Sequence, residues 1–245
     1  MENFHNQLIL PNIGEFLGSL FFAFLSCFIG EYQKSLGYPI FISISLFISR
    51  SIVQHCTPAH FNPAITLLQC IRQRISPILA TSFIICQFFG LLFGVTFFRC
   101  LVSQTEFNDD IVFFDLSTEN SKINRLQAFF LEVSLTLVLL HSFSQGNRDS
   151  SNFSSENFTF SASWGLIQLI SMPFYGFSSN FTFLCVNFLT SCIFSPTTTP
   201  SFSLIYLNFF AMILAVFLAW LVDWLTSPKS PNTLQNGQTS DNKLV

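Results

Sequence analysis

Charge is scarce in this chain. Lys and Arg number 10 and Asp and Glu 13 among 245 residues, so 9% are charged; a soluble domain usually carries about 25%. The net charge of −3 includes no basic stripe, which excludes a nucleic-acid-binding face. No CxxC pair occurs among the seven cysteines, Cys27, Cys56, Cys70, Cys86, Cys100, Cys185 and Cys192, and the four histidines have no metal-ligand spacing. The cysteines read as small buried hydrophobes, and their odd number leaves at least one thiol free. No Ser-His-Asp or Cys-His arrangement and no phosphate loop is present, so neither an enzyme nor a bound cofactor is expected. No Lys or Arg lies between Met1 and Gln7. The apolar run that follows therefore reads as a retained first span rather than a cleaved signal, which would begin with a basic stretch.

Apolar residues fill the space that charge leaves. Half of the chain is hydrophobic and 34 residues are Phe, with a mean hydropathy of +0.53. Lipid is the solvent such a chain fits, and its length suits one bundle of about six spans of roughly 20 residues. The runs predict spans over 13–29, 38–52, 77–98, 126–143, 158–177 and 204–225. Two shorter segments, 62–70 and 180–194, read as half-helices. Polar loops are expected over 103–124 and 144–157, with Asn152 and Asn157 opening glycosylation sequons in the second. Arg50 is expected to snorkel from the end of the second span. Residues 1–12 form an N-terminal segment, 13–225 the membrane domain and 226–245 a disordered tail rich in Ser, Pro, Asn and Gln.

With both termini placed in the cytosol, Arg50, Arg72, Arg74, Arg148, Lys229 and Lys243 fall inside. Lys34, Arg99, Lys122 and Arg125 fall outside. The six-to-four excess follows the positive-inside bias. Gly90 with Gly94, and Ala211 with Ala215 and Ala219, repeat at the spacing that lets membrane helices approach closely.

The segment Ala59-His60-Phe61-Asn62-Pro63-Ala64 interrupts the apolar pattern. A polar, proline-containing break is tolerated at membrane depth only where it lines a cavity or is buried in protein. A half-helix starting there turns its positive end into the bilayer, as many pores and transporters do. The break also recurs. Glu15 is followed by Ser19, and Glu132 by Thr136, each carboxylate inside an apolar span. Asn62 lies 47 residues after Glu15, and Asn180 lies 48 after Glu132. Each half thus reads as span, span, half-helix, span, over about 13–99 and 126–225, and an odd number of spans per half inverts the second. Glu15 and Glu132 are expected to accept hydrogen bonds from the re-entrant loops; a proton or cation site is the alternative.

The first break, the paired span glutamates and Gln87 with Gly90 resemble the aquaporins. The resemblance covers roughly residues 15–224 and implies six transmembrane helices with two re-entrant half-helices in an inverted repeat, an all-α channel for water. At the second loop Asn180-Phe181-Thr182 stands where the family usually repeats Asn-Pro-Ala, with Asn187-Phe188-Leu189 as a rival. Phe183 stands where an arginine usually follows. These departures, with Cys192 shortly after, are similar to the divergent superaquaporin branch. That branch is often found on intracellular membranes, so the endoplasmic reticulum stands beside the plasma membrane as a location.

The resemblance implies a pore waist built from Asn62, Pro63, Ala64, Asn180, Phe181 and Thr182, and an outer constriction from Ile42, Gln168, Phe177 and Phe183. His60 would support the first loop. It implies a homotetramer in a lipid bilayer, passing water and small neutral solutes such as glycerol or hydrogen peroxide. A non-conducting scaffold of the same fold is the second reading, and an ion- or proton-coupled transporter using the two glutamates the third.

Overall fold

The computed structural model describes residues 5–28, 37–110, 123–146, 153–176, 179–194 and 205–226. Every regular element among them is helical. A π-helical turn, His5–Ile9, leads into α1 (Leu10–Ser26). There follow α2 (Gly37–Val53), α3 (Pro63–Ile71), α4 (Pro77–Leu101) and α5 (Gln104–Asp110). The second half holds α6 (Arg125–Gly146), α7 (Phe153–Ser171), α8 (Phe181–Phe194) and α9 (Ile205–Thr226). The tail from 227 onward, Phe177, Asn152, Lys34, Lys122, Arg148, Lys229 and Lys243 lie outside the described residues.

Four helical stretches, Gln7–Ser26, Pro77–Leu101, Arg125–Phe143 and Ile205–Thr226, are long and apolar enough to cross a bilayer on length and composition alone. α2 has 17 residues, at the short end of the roughly 17–25 that span. α7 is long enough, and its polarity has a direction. Asn157, Ser161, Gln168 and Ser171 are buried, while Phe158, Leu166 and Leu169 are exposed. A helix that turns amides inward and aromatic and aliphatic side chains outward suits lipid, the inverse of a soluble surface helix.

The helix pairings repeat in the two halves. α1 packs on α2 and α4, and α6 packs correspondingly on α7 and α9. α2 and α7 pack on each other across the halves. The half-helix α3 lies against α9, and α8 against α4, so each half-helix rests on the last span of the opposite half. The α1–α4 seam is tight because a Cβ at Gly90 would strike the Phe16 carbonyl and one at Gly94 the Leu20 carbonyl. Ala211, Ala215 and Ala219 are all buried on α9. Small residues at this spacing bring the two backbones close enough for dispersion to hold them in lipid.

Four readings of the sequence need correction. The stretch 103–124 is not loop throughout. Ser103 Oγ accepts from the Glu106 amide at 3.2 Å while the Glu106 carboxylate accepts from the Ser103 amide at 2.9 Å. This reciprocal cap starts α5, whose Phe107 is fully buried. Asn157 is not in a loop, since α7 begins at Phe153 and buries it. Arg50 does not snorkel: it is 4% exposed, against α7. The seven cysteines carry free thiols, but only Cys27 is the buried hydrophobe expected of them; Cys100 and Cys192 are exposed and the rest are half-buried, because they lie toward the outer faces of their helices.

Candidate functional site

Pro63 fixes φ at a value helices use and needs no amide partner, so it opens α3 directly after Asn62. Asn62 is extended, with φ −154° and ψ 126°, and its Oδ1 accepts from the Ala64 amide at 2.9 Å. α8 starts without proline. Asn180 Oδ1 accepts from the Phe183 amide at 3.2 Å, and Phe181 takes the first helical position. Asparagine suits both places because its side-chain oxygen satisfies an amide that the first turn leaves open.

The two caps are bonded crosswise. Asn62 Nδ2 donates to the Ser179 carbonyl at 2.6 Å, and Asn180 Nδ2 donates to the Phe61 carbonyl at 3.0 Å. Each amide group carries two N–H donors, so one on each asparagine has no acceptor among the described residues. Both side chains are buried at the centre of the bundle, where the starts of α3 and α8 meet. Two helix N-termini converging there place their partial positive charges face to face.

Each loop is held by a carboxylate from the first span of its own half. Glu15 Oε1 accepts from the Thr57 hydroxyl at 2.6 Å and the His60 amide at 2.8 Å. Its Oε2 accepts from the Phe61 amide at 3.0 Å and Gln87 Nε2 at 2.8 Å. Glu132 Oε1 accepts from the Ser179 amide at 2.7 Å and Asn208 Nδ2 at 2.6 Å, and its Oε2 from the Tyr175 hydroxyl at 2.8 Å. These bonds keep backbone that resists its own conformation. Ala59, Phe61 and Ser179 have φ of 55°, 49° and 64°, in the left-handed region that costs a non-glycine residue roughly 1–2 kcal/mol.

Thr66 ties the first loop to α4. Its hydroxyl donates to the Asn62 carbonyl at 3.1 Å and accepts from Gln87 Nε2 at 3.0 Å. With that hydrogen committed, His60 Nδ1, 3.2 Å from Thr66 Oγ1, is the donor of its pair. The imidazole stands edge-on to Phe83 and Phe143, at centroid distances of 5.6 and 5.3 Å.

Ile42, Gln168 and Phe183 are all buried, on α2, α7 and α8, while Phe177 lies outside the described residues. The Phe183 ring packs against Phe22 at 5.8 Å. Phe22 in turn meets Trp164 at 5.6 Å, and Trp164 meets Phe160 at 6.0 Å. Trp164 is the largest fully buried side chain and escaped the sequence reading, as did Asn208, Tyr175, Thr57 and Thr66. One signal for Asn208 was available: it follows Glu132 by 76 residues, nearly the 72 that separate Gln87 from Glu15.

Outside the bundle centre, Arg72 at the end of α3 pairs with Asp223 near the end of α9, its Nε 2.7 Å from Oδ2. Arg99, at the end of α4, donates to Gln104 Oε1 at 2.6 Å, and its guanidinium lies 5.5 Å from the Phe107 ring. No group of three or more His, Cys, Asp or Glu side chains that could hold a metal is found among the described residues.

A bundle of two inverted halves with a re-entrant half-helix in each defines an integral membrane protein of the channel class. The major intrinsic protein family profile matches residues 5–183, and the chain belongs to that family. Its members are channels, not enzymes. The chain is also similar to the aquaglyceroporin from Plasmodium falciparum, whose X-ray structure superposes with a TM-score of 0.70 at 19% identity, covering 88% of this chain and 95% of that one. No curated protein sequence matches the chain.

Proposed function

We propose that the chain is a passive channel for water and small neutral solutes, glycerol and hydrogen peroxide among them, that excludes ions and protons. The crosswise pair of Asn62 and Asn180 carries this reading, because it leaves one N–H donor on each amide at the junction of two helix N-termini. A water giving both lone pairs to these donors would turn its hydrogens away from the centre on both sides. That orientation interrupts a proton wire, and the dipole field opposes cations. Pro63 and Ala64, with Phe181 and Thr182 opposite, complete the waist. Ile42, Gln168 and Phe183 form the constriction beyond it.

Glu15, Glu132 and His60 act as loop anchors in this reading. The four donors gathered on Glu15 support anchoring over proton transport, since both of its oxygens are already engaged by the loop and by Gln87. The aquaglyceroporin likeness of the fold is compatible with glycerol as a solute. A homotetramer in the plasma membrane or endoplasmic reticulum, with cytosolic termini, is the assembly we infer. The apolar second loop supports the divergent branch of the family. The contact of Phe183 with Phe22 favours one rival, a channel fold closed by its own aromatics that serves as a scaffold.

Stopped-flow light scattering on proteoliposomes tests the reading. Osmotic shrinkage faster than in empty liposomes, with a low activation energy, supports a pore, and a glycerol gradient run beside it ranks the solutes. Shrinkage at the control rate from folded protein sinks the channel reading and leaves the scaffold.

A further inference from the structure

The guanidinium of Arg50 is buried outside the pore waist and the loop anchors. It sits on the last turn of α2 with 4% exposure. Its Nε donates to Asn157 Oδ1 at 2.9 Å and its Nη1 to the Ala59 carbonyl at 2.7 Å, while Nη2 has no acceptor among the described residues. Asn157 is locked with its oxygen toward Arg50, because its Nδ2 donates to the Phe47 carbonyl and the Ser51 hydroxyl, both at 2.9 Å. The guanidinium carbon lies 4.5 Å from the Phe160 ring centroid and 5.3 Å from that of Phe143. None of these partners is a carboxylate. A charge whose direct contacts are neutral acceptors and π faces is costly to bury, and Glu15 and Glu156 offset it only through space.

Arg50 also faces open space. With Thr57, Glu156, Phe143 and Phe160 it lines a cavity of about 320 Å³ at the side of the bundle from which the first loop runs inward to Asn62. The carbonyl it holds, Ala59, is three residues from that asparagine and belongs to the left-handed turn fixed by Glu15. Glu156 shares the cavity, and Glu15, the anchor of the first loop, is the other carboxylate that acts on Arg50 through space. At the opposite loop the residue following Asn180-Phe181-Thr182 is Phe183, and no basic side chain lies between 179 and 194.

We propose that Arg50 is the specificity-determining cation of this pore, a guanidinium framed by Phe143 and Phe160 in the mouth that leads to Asn62, where it repels protons and cations and donates to passing solutes. The inference rests on the conducting reading above. It moves the charge barrier to the loop that keeps its Asn-Pro-Ala and leaves the second mouth to apolar contacts.

The test uses the full chain in proteoliposomes loaded with a pH-sensitive dye and clamped with potassium and valinomycin, reading proton and water permeability on the same vesicles. In Arg50→Gln the proton-to-water ratio is expected to rise about tenfold or more, because a full charge within a few ångströms of the path raises a cation's barrier by at least that factor. In Arg50→Lys, which keeps the charge, the ratio returns toward that of the parent chain. A conducting Arg50→Gln as proton-tight as the parent overturns the proposal. Parent vesicles that shrink no faster than empty liposomes overturn the conducting reading instead.

Should Arg50→Gln not fold, phenylglyoxal, which modifies guanidinium groups, tests the parent directly. Modification of Arg50, read by mass spectrometry, is expected with a fall in water flux that the Arg50→Lys protein does not show on treatment. Modification with unchanged flux, or an Arg50 that the reagent never reaches, overturns the proposal.

Discussion

Asn208 stands to Glu132 as Gln87 stands to Glu15. Each is an amide on the last span of its half, donating to the carboxylate of the first span, at 2.6 and 2.8 Å. The carboxylates then present their remaining lone pairs to the re-entrant loops. Removing the amide leaves a buried carboxylate short of a donor, at a cost of about 1–3 kcal/mol. Asn208→Leu is therefore expected to lower the unfolding midpoint in detergent. Asn208→Gln, reaching from the same face, should recover part of the loss. An Asn208→Leu protein as stable as the parent would show that Glu132 is satisfied without it.

Asn62→Asp changes one atom of the side chain and reverses its sign toward the opposite loop. The capping oxygen can still accept from Ala64, but the donor to the Ser179 carbonyl becomes an acceptor facing an acceptor. Water flux per reconstituted protein should fall about tenfold or more, in line with an unpaired buried polar group of roughly 1–3 kcal/mol. Flux equal to that of the parent at equal incorporation would remove Asn62 from the path.

Phe183→Arg tests the apolar second mouth. A guanidinium there adds donors and charge where Phe22 now packs a ring. The expected result is a lower glycerol-to-water ratio in paired stopped-flow runs. The same ratio in both proteins would take Phe183 out of the constriction.

Glu106 offers a test outside the spans. The Ser103 amide first, then the Ser103 hydroxyl, holds its carboxyl below the ordinary value, near 4.3 for free glutamate. A carboxyl lowered in the folded state adds stability above its unfolded value and loses it as pH falls through the folded one. Hydrogen-exchange protection of α5 should therefore drop on acidification through and below pH about 4. In Glu106→Gln the profile should be flat over that range. A parent profile that is flat as well would mean the reciprocal cap does not control the helix.

The first half-helix was legible because Asn-Pro is a strong local start signal, and it begins at Pro63 as the pattern implies. The second half-helix has no proline and was found through the repeat alone, since only spacing from Glu132 points to Asn180. Arg50 was misread for a physical reason. An arginine at the end of a hydrophobic run fits snorkelling, and no local pattern announces an acceptor 107 residues away. Asn157 was misread with it, because a sequon in a polar stretch looks the same whether its helix begins before or after it. The cap of Ser103 and Glu106 shows in the sequence as a serine with a glutamate three residues on, a weak signal within a polar and acidic stretch.

α3 leans on α9 as well as on α4, and α8 on α4 as well as on α9, so each half-helix is supported from both halves. Among the described helices α9 is the last to be synthesised, and the first half-helix rests on it. Asn62 lacks its partner carbonyl, and Arg72 its aspartate, until residues 179 and 223 have been made. During synthesis the first half must wait in the membrane with an open amide and an unpaired guanidinium. A truncation before α9 would thus take one support from each half-helix, since α3 and α8 both pack on it.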